Sequence, residues 1–357
     1  EMYLMPRTGH RHKILLEAPI KCTTGRARPR VFAERQLRCC YCEFCVAAHV
    51  PICEGLPFPR EMAILLVSRS LVSLNSPNVS SVPKNRRRLL VSQLSPKPSP
   101  CSGVSFCVGT QLIPHPSKID RGGDDVFFVS SYKGGVLAVA DGVSGWAKEN
   151  VDPALFPKEL LARASCLVRD EEVNYDPQIL LQKAHAANFS RGSATIIVAM
   201  LEGDGILKIA SVGDCGLRVI RNGQVIFYTS PQEHYFDCPY QLSSELFGQT
   251  YLDATVSNMR LLVEDTVVMG SDGLFDNVFD DEIVSTIATC IDVSEAAKTL
   301  ADLASTHSRD SCFDSPYAVE ARTRGYDVPL WKKVLGMKLT GGKLDDITVI
   351  VGRVVVA

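Results

Sequence analysis

The chain has 357 residues, 38 Lys and Arg against 40 Asp and Glu, and 46% hydrophobic side chains. This composition is typical of a globular protein with one large or two modest domains, and it excludes collagen, coiled coil and wholesale disorder. Residues 1–119 carry 17 basic and 6 acidic side chains, whereas residues 120–357 carry 21 and 34. Because the C-terminal part is this acidic, it repels the phosphate backbone of nucleic acids, and we expect no nucleic-acid partner. No run reaches the roughly 18 apolar residues that a membrane-spanning helix needs.

The segment that begins at Met62-Ala63 has the composition of a targeting sequence. Residues 62–119 contain no Asp or Glu, but twelve Ser and seven Lys or Arg. Organelle transit peptides are Ser-rich, Arg-containing and poor in acidic residues. We predict a transit peptide and linker over residues 62–110, with the chloroplast as destination and the mitochondrion as second choice. A disordered basic tail without a targeting role is the alternative.

Residues 1–61 show no sustained periodicity and hold six of the thirteen cysteines. The run CCYCEFC (39–45) has C-x-x-C spacing, which is typical of zinc sites. A closed zinc site usually needs two separated Cys pairs or a pair of His residues, and only His49 is near. We therefore interpret residues 1–61 as upstream sequence that forms no domain.

From residue 111 onwards, apolar runs alternate with turn signals and amphipathic stretches, which predicts one domain over residues 111–357. The runs predict strands at 126–131, 135–141, 193–201, 206–213, 217–229, 266–273 and 346–356. The amphipathic stretches and start signals predict helices at 155–169, 177–189, 280–290 and 293–307. Asp176 is the expected cap of the second helix, and Asn222-Gly223 predicts a hairpin turn. Strands with inserted helix pairs favour an α+β fold over a parallel doubly wound sheet.

Acidic residues stand at the ends of five predicted strands. They are Asp124-Asp125, Asp141-Gly142, Asp214, Asp272-Gly273 and Asp345-Asp346. One Asp-Gly after a strand is typically only a turn. Several converging carboxylates repel one another and raise one another's pKa unless a cation lies between them. Because ligand sets made only of oxygen favour Mg²⁺ or Mn²⁺, the five clusters together predict a divalent metal site.

Six motifs occur in the order found in the type 2C (PPM-type) Ser/Thr protein phosphatases, and the chain resembles that family over about residues 115–357. They are GGDD (122–125), ADGVSG (140–145), GSAT (192–195), VGDCGLRV (212–219), GSDGLFD (270–276) and DDIT (345–348). The segment QEHYFDCPYQL (232–242) is similar to the compact, organelle-targeted branch of the family. The resemblance implies a central antiparallel β-sandwich flanked by helix pairs, in αββα layers.

The resemblance also implies roles for the acidic residues. Asp141 would bridge two Mg²⁺ or Mn²⁺ ions, with the Gly142 carbonyl on the second ion, and Asp272 and Asp345 would complete one ion. Asp124 and Asp125 would act at the other edge, partly through waters, and Asp141 and Asp125 are the expected catalytic residues. Asp214 would hold a third, weaker ion beside Asp272. Two such ions activate a water for attack on phosphorus, which implies hydrolysis of phosphoserine and phosphothreonine in proteins.

The chain departs from the family pattern at three positions. Val143 stands where the family commonly has a general-acid His, so His115 and His234 are the conceivable proton donors. Asp120 stands where the family has a phosphate-binding Arg, and we expect neighbouring Arg121 or Lys118 to bind phosphate instead. Asp346 replaces an Asn of the closing motif.

Several functional alternatives remain at this point. The basic segment 310–343 is interpreted either as a mobile loop that recruits phosphopeptides or as a solvated insert. A pseudophosphatase that serves as a binding platform is the main rival function. Such a platform would tolerate the loss of metal ligands, whereas Asp141, Asp272 and Asp345 are all present. A small-molecule phosphatase would use the same site, whereas no Cys lies in a phosphate-binding loop of the kind that a Cys-based phosphatase needs. We expect phosphoprotein substrates in the chloroplast, at the stroma or the stromal face of the thylakoid, and a monomeric enzyme.

Overall fold

The structure is a computed structural model that describes residues 103–245 and 248–357. The predictions for residues 1–61, and for residues 62–110 up to residue 102, lie outside the described residues. Within the described ranges, no helix combines the length and apolar character that crossing a bilayer requires.

The predicted strands and helices occur in the predicted order, and the structure contains further strands and short helices that the periodicity does not predict. The strands are β1 (Val104–Ile113), β2 (Val126–Ser130), β3 (Gly135–Gly142), β4 (Ser193–Leu201), β5 (Ile206–Val212), β6 (Gly216–Arg221), β7 (Gln224–Tyr228), β8 (Glu233–Tyr235), β9 (Cys238–Pro239), β10 (Leu242–Ser243), β11 (Thr255–Arg260), β12 (Thr266–Gly270) and β13 (Ile347–Val356). The α-helices are α1 (Leu155–Leu167), α2 (Pro177–Ala186), α3 (Asp272–Phe275), α4 (Asp280–Thr289), α5 (Val293–Arg309), α6 (Pro316–Thr323) and α7 (Leu330–Val334).

Two antiparallel sheets form the centre of the fold. The first has the strand order β1-β13-β12-β6-β7, and the second has the order β11-β5-β4-β3-β2 with β10 beside β4. Strands β8 and β9 form a separate short ribbon. Neighbouring strands in both sheets run antiparallel, from the β1–β13 pair to the β3–β4 pair. The predicted α+β class and antiparallel sandwich are therefore confirmed.

The side chains of β4 explain how the layers are held together. Ile197, Ala199 and Leu201 pack between the two sheets, whereas Ile196 and Val198 face α1 and α2 on the other side. All nine residues of the strand are buried. Successive side chains of a strand point to opposite faces, so the sequence of a strand that is covered on both faces is a continuous apolar run.

The helix layers lie on the outer faces of the two sheets. Leu160 of α1 and Leu180 of α2 pack on the second sheet. Ile283 of α4 and Leu300 of α5 pack on the first sheet in the same way. The predicted αββα layering follows from these three hydrophobic clusters, since each is confined between two neighbouring layers.

Two short-range sequence signals are confirmed. The Asp176 side chain accepts hydrogen bonds from the backbone N–H groups of Gln178 and Ile179 and so caps α2. Asn222 and Gly223, which join β6 to β7, have φ values of 52° and 74°. Both lie in the left-handed region that the tight turn of a hairpin requires.

The structure differs from the sequence prediction at three places. Strand β1 pairs with β13 from Val104 to Ile113, so residues of the predicted linker before residue 111 belong to the first sheet. The Ser, Cys and Gly residues among its apolar side chains hide this strand from a periodicity analysis. The predicted strand 266–273 ends at Gly270, because α3 begins at Asp272. Segment 310–343, which we interpreted as a mobile loop or a solvated insert without predicted helices, contains helices α6 and α7.

Candidate active site

The five acidic clusters meet at one end of the sandwich. The second sheet supplies Asp141 at the end of β3, Asp124-Asp125 just before β2 and Asp214 just after β5. The first sheet supplies Asp272 after β12 and Asp345-Asp346 before β13. Burial raises the pKa of Asp141 well above its ordinary value, and charge repulsion from the other clusters adds to the shift. The repelling groups are Asp125, Asp272, Asp345 and Asp214.

Close backbone approaches bring these strand ends together. A Cβ atom on Gly273 would lie 2.0 Å from the backbone oxygen of Asp346, so only glycine fits where α3 meets β13. A Cβ atom on Gly142 would lie 2.4 Å from the backbone oxygen of Pro153. The Gly that follows Asp in each Asp-Gly motif is thus required by packing, which a turn interpretation alone does not predict.

Asp125 is a buried residue of the acidic centre. The Thr348 hydroxyl donates a hydrogen bond of 2.7 Å to its Oδ2 atom. Burial is the main reason that the pKa of Asp125 is raised to about 7, and repulsion by Asp346 is the second. The pKa of Asp345 is raised to about 6, again mainly by burial and then by repulsion from Asp272. These carboxyl groups therefore change charge near neutral pH.

Three buried carboxylate oxygens in the site have no hydrogen-bond partner. They are the Oδ1 atoms of Asp125, Asp214 and Asp272. The Oδ1 atom of Asp124 also lacks a well-aligned hydrogen bond, although Nη2 of Arg121 lies 3.1 Å away. Because a buried carboxylate oxygen without a partner is costly, such atoms indicate where a cation belongs. The donor set is all oxygen, which fits Mg²⁺ or Mn²⁺.

As the side chains stand, no three Asp, Glu, His or Cys groups in the described ranges are spaced to hold one metal ion. The ammonium groups of Lys118 and Lys343 lie among the carboxylates instead. This arrangement has a simple physical reason, since carboxylates that repel one another stay apart unless a cation draws them together. The predicted ligands therefore share one region without forming a closed coordination shell.

Lys118, one of the two predicted phosphate-binding residues, is almost fully buried. Its Nζ atom lies 2.8 Å from Oδ2 of Asp124 and 2.8 Å from Oδ2 of Asp346. Hydrogen bonds and charge attraction from these two residues raise its pKa, in spite of burial, which acts in the opposite direction. Asp346, which replaces the Asn of the family motif, also accepts hydrogen bonds from the backbone N–H groups of His115 and Asp124.

Arg121, the other predicted phosphate-binding residue, lies at the rim of the site. Its side chain is 42% exposed, and its Nη2 atom is 3.2 Å from Oδ2 of Asp124. Nη1 lies 3.8 Å from Asp152. Because Arg121 has donors that face solvent, an anion can reach it more easily than it can reach Lys118.

A second lysine, Lys343, was missed by the sequence analysis as a site residue. Its Nζ atom lies 2.7 Å from Asp272, 2.9 Å from Asp276 and 3.1 Å from Asp237. Burial lowers the pKa of Lys343, but attraction from Asp272 and Asp276 outweighs it and holds the pKa above its ordinary value. The cleft beside Lys343 is also lined by Phe236 of the β8–β9 ribbon. Lys343 thus joins segment 310–343 to the acidic centre.

Asn277 holds the backbone of Lys343 in place. The Asn277 side chain is fully buried, and its Nδ2 atom donates to the carbonyl oxygens of Lys343 at 2.8 Å and Gly273 at 2.9 Å. The N–H group of Lys343 donates to Oδ1 of Asn277 at 2.9 Å. The Lys343 main chain is therefore bound from both sides, independently of the contacts of its ammonium group.

Asp276 is a further acidic residue that the sequence analysis did not assign. Burial is the main cause that raises its pKa to about 7, although Lys343 acts in the opposite direction. Burial also raises the pKa of Asp214, with repulsion from Asp272 and Asp276 adding to it. Asp276 lies four residues after Asp272, so the GSDGLFD motif contains a helical i, i+4 spacing that could have identified it.

The predicted proton donors have other roles in the structure. Nδ1 of His115 accepts a hydrogen bond from the N–H group of Ser117 at the start of a short 3₁₀ helix. His234 lies in β8, where its ring packs against Tyr240. Val143 follows β3 and donates its backbone N–H to Ser193. Burial raises the pKa of Cys215 well above its ordinary value, which keeps this thiol protonated and argues against cysteine nucleophile chemistry.

Comparison with known proteins adds a second line of evidence. The chain is 67% identical over 252 residues to "Probable protein phosphatase 2C 26" of Arabidopsis thaliana, which covers 71% of this chain and 85% of that protein. It is 64% identical over 263 residues to "Probable protein phosphatase 2C 1" of Oryza sativa subsp. japonica, which covers 74% of this chain and 80% of that protein. No family model matches the sequence.

A solved structure is also similar to this chain. The X-ray structure of the photosystem II phosphatase PBCP superposes with a TM-score of 0.69 at 64% sequence identity, and it covers 71% of this chain and all of that one. The sandwich, the acidic end and these likenesses agree with the resemblance carried by the six motifs. The chain belongs to the protein phosphatase 2C family of metal-dependent protein serine/threonine phosphatases.

Proposed function

We propose that this protein removes phosphate from phosphoserine and phosphothreonine of chloroplast proteins, with phosphoproteins of the thylakoid as substrates. The observation that carries the proposal is the set of unpartnered buried oxygens of Asp125, Asp214 and Asp272 around Asp141. The likeness to a photosystem II phosphatase at 64% identity supports the choice of compartment and substrate class. The Ser-rich segment 62–110 supports a transit peptide.

The residues present fit a pair of Mg²⁺ or Mn²⁺ ions. Asp141 would hold both ions, the Gly142 carbonyl would help to hold the second, and Asp272 and Asp345 would complete one of them. Asp124 and Asp125 would bind at the other edge, partly through waters. When bound, two such ions supply Lewis-acid activation of a water and charge neutralisation of phosphate. Asp214 and Asp272 would hold a third, weaker ion. Lys343, which also pairs with Asp272, would compete with that ion.

The chain's own groups orient the substrate around that centre. Arg121 is the better placed of the two predicted cations to bind the phosphoryl group, because Lys118 is already paired with Asp124 and Asp346. Lys118 then acts as a fixed positive charge that keeps Asp124 in position. Lys343 does the same for Asp272. The protein is proposed to act as a monomer without nucleic-acid partners.

The first experiment is phosphate release from phosphothreonine peptides by the full chain with Mn²⁺, Mg²⁺ or EDTA. Activity is expected to require metal and to collapse in Asp141→Asn and Asp272→Asn. Asp302→Asn on the exposed face of α5 is the matched control and should retain activity. A folded protein that binds metal but hydrolyses neither phosphopeptides nor p-nitrophenyl phosphate would favour the binding-platform alternative. Preference for small phosphate esters would favour the third alternative.

A further inference from the structure

A dense group of exposed apolar side chains lies on and just after α7. Leu330 is 80% exposed, Trp331 62%, Val334 86% and Leu335 70%. Met337 is half exposed. We call Leu330–Met337 the α7 patch. Leu330, Val334 and Leu335 are more than two-thirds exposed, and Trp331 and Met337 are at least half exposed, so packing within the protein does not account for these five apolar side chains.

The α7 patch differs from the other exposed apolar residues of the described chain. Elsewhere in residues 103–245 and 248–357, large exposed apolar side chains occur singly or in pairs along the sequence, as at Phe189, Ile291 and Leu262-Val263. Single exposed apolar residues are normal on a protein surface, whereas contiguous groups mark contact surfaces. The α7 patch is therefore a candidate for binding a partner.

The charges around the α7 patch restrict the kind of partner. Residues 329–344 contain Lys332, Lys333, Lys338 and Lys343, and no Asp or Glu, in a domain whose acidic residues otherwise exceed its basic ones. Lys338 pairs with Asp314 at 2.5 Å and Lys343 with Asp272 at 2.7 Å, so the charges of the patch itself are those of Lys332 and Lys333. Lys332 lies over the Trp331 ring, 5.4 Å from its centroid, and Lys333 pairs with Asp327 at 3.0 Å. Charge complementarity thus favours an anionic surface.

Two other occupants fit these charges poorly. A second copy of the chain, docked through the same patch, would place the lysines of the two copies against one another, because such an interface uses the same surface twice. The segment 1–102 of this chain is itself rich in Lys and Arg, so it is repelled by the same lysines. A groove on another protein is also a less suitable partner for this patch, because binding hot spots are usually tightly packed side chains in pockets.

We propose that the α7 patch binds the surface of a lipid bilayer that contains anionic lipids. Leu330, Val334 and Leu335 would enter the boundary between headgroups and acyl chains, and Trp331 would lie at the interface that this ring prefers. Lys332 and Lys333 would contact the anionic headgroups, each contributing about 1 kcal/mol of attraction at low salt. The protein would lie on the membrane without crossing it.

The position of the patch connects it to the active site. Lys343, whose ammonium group pairs with Asp272, follows Met337 by six residues. Six extended residues span at most about 20 Å, so the acidic centre is close to the bound membrane. Phosphorylated segments that project from a membrane surface would then be within reach of the site.

The test uses the fluorescence of Trp331 in the full chain. The sequence has two tryptophans, so Trp146→Phe leaves Trp331 as the only one. Vesicles of phosphatidylglycerol and phosphatidylcholine are expected to shift its emission to the blue and to co-sediment with both this variant and the unmodified protein. Pure phosphatidylcholine vesicles should give a weaker effect. Replacing Lys332 and Lys333 by Gln should weaken binding to the anionic vesicles about 30-fold at low salt, since two lysines contribute about 2 kcal/mol.

Matched variants distinguish vesicle binding by the α7 patch from nonspecific adsorption and from binding by the basic N-terminal segment. Leu330→Ser with Leu335→Ser should abolish co-sedimentation, whereas Phe189→Ser with Ile291→Ser, at sites 82% and 87% exposed, should leave it unchanged. Unshifted Trp331 emission, or co-sedimentation that survives the Leu330 and Leu335 changes, would overturn the proposal. So would a concentration-dependent dimer or an acidic phosphopeptide that shifts the emission when vesicles do not.

Discussion

The hydrogen bonds of Asn277 give a prediction whose size follows from the structure. Replacing Asn277 by Ala removes three hydrogen bonds, two of them to Lys343 and one to Gly273. Each such bond contributes about 1 kcal/mol net, so we expect a loss of about 3 kcal/mol in the free energy of unfolding. In a domain of this size each kcal/mol lowers the melting temperature by about 2–4 °C, which predicts a decrease of about 6–12 °C.

Urea titration and thermal melting in EDTA measure this loss directly. The matched control is Asn258→Ala on the exposed edge strand β11, which should stay within about 0.5 kcal/mol of the unmodified protein. Because Asn277 positions Lys343, its removal should also reduce the turnover of phosphopeptides by protein that is still folded. An Asn277→Ala protein as stable as the Asn258→Ala protein would refute the claim that this side chain fixes segment 310–343 to the site.

Further predictions concern the metal centre and its packing. The raised pKa of Asp125, about 7, means that the metal-free folded protein holds a proton that the unfolded chain releases near pH 4, so metal-free stability should fall as the pH rises through 7. A metal ion competes with that proton for Asp125. The increase in melting temperature on adding Mn²⁺ should therefore grow between pH 6 and pH 8, because Asp125 loses its proton over that range. Replacing Lys343 by Met should destabilise the metal-free protein by about 2 kcal/mol and enlarge its stabilisation by Mn²⁺, measured by thermal melting in EDTA and in Mn²⁺, because carboxylates lose a competing cation. Gly273→Ala would force a Cβ atom against the Asp346 oxygen and should cost about 3 kcal/mol or more in a urea titration, whereas Gly203→Ala, with no heavy atom within 4 Å of the added Cβ, should be nearly neutral.

Most of the sandwich could be predicted because its strands carry strong local signals. The continuous apolar run of β4 and the Asn222-Gly223 turn each depend on neighbours in the sequence. Strand β1 carries a weaker signal, and it is fixed by pairing with β13, more than two hundred residues away. Local periodicity contains no information about such a distant partner, which is why the predicted domain start fell inside this strand.

The acidic residues of the site could be predicted for a different reason. A single Asp at a strand end is common, because Asp-Gly forms turns, but its repetition at five strand ends indicates convergence, as the shared repulsion around Asp141 illustrates. The cations between the carboxylates could not be predicted in the same way. Lys343 pairs with Asp272, and Asn277 binds its main chain through a contact between residues 66 positions apart. The assignments of metal ligands and of Arg121 as phosphate binder stay predictions.

The origin of the acidic residues in both sheets has a consequence for the metal-free protein. Asp141 lies at the end of a strand of the second sheet, and Asp272 lies two residues after the end of a strand of the first. A cation shared between them would join the two halves of the sandwich at one end, while the interior apolar layer joins them along its length. Chelation should therefore leave the sheets intact and loosen mainly that end. Amide hydrogen exchange in EDTA would then increase near Gly142 and Asp272, and stay slow in the middle of β4.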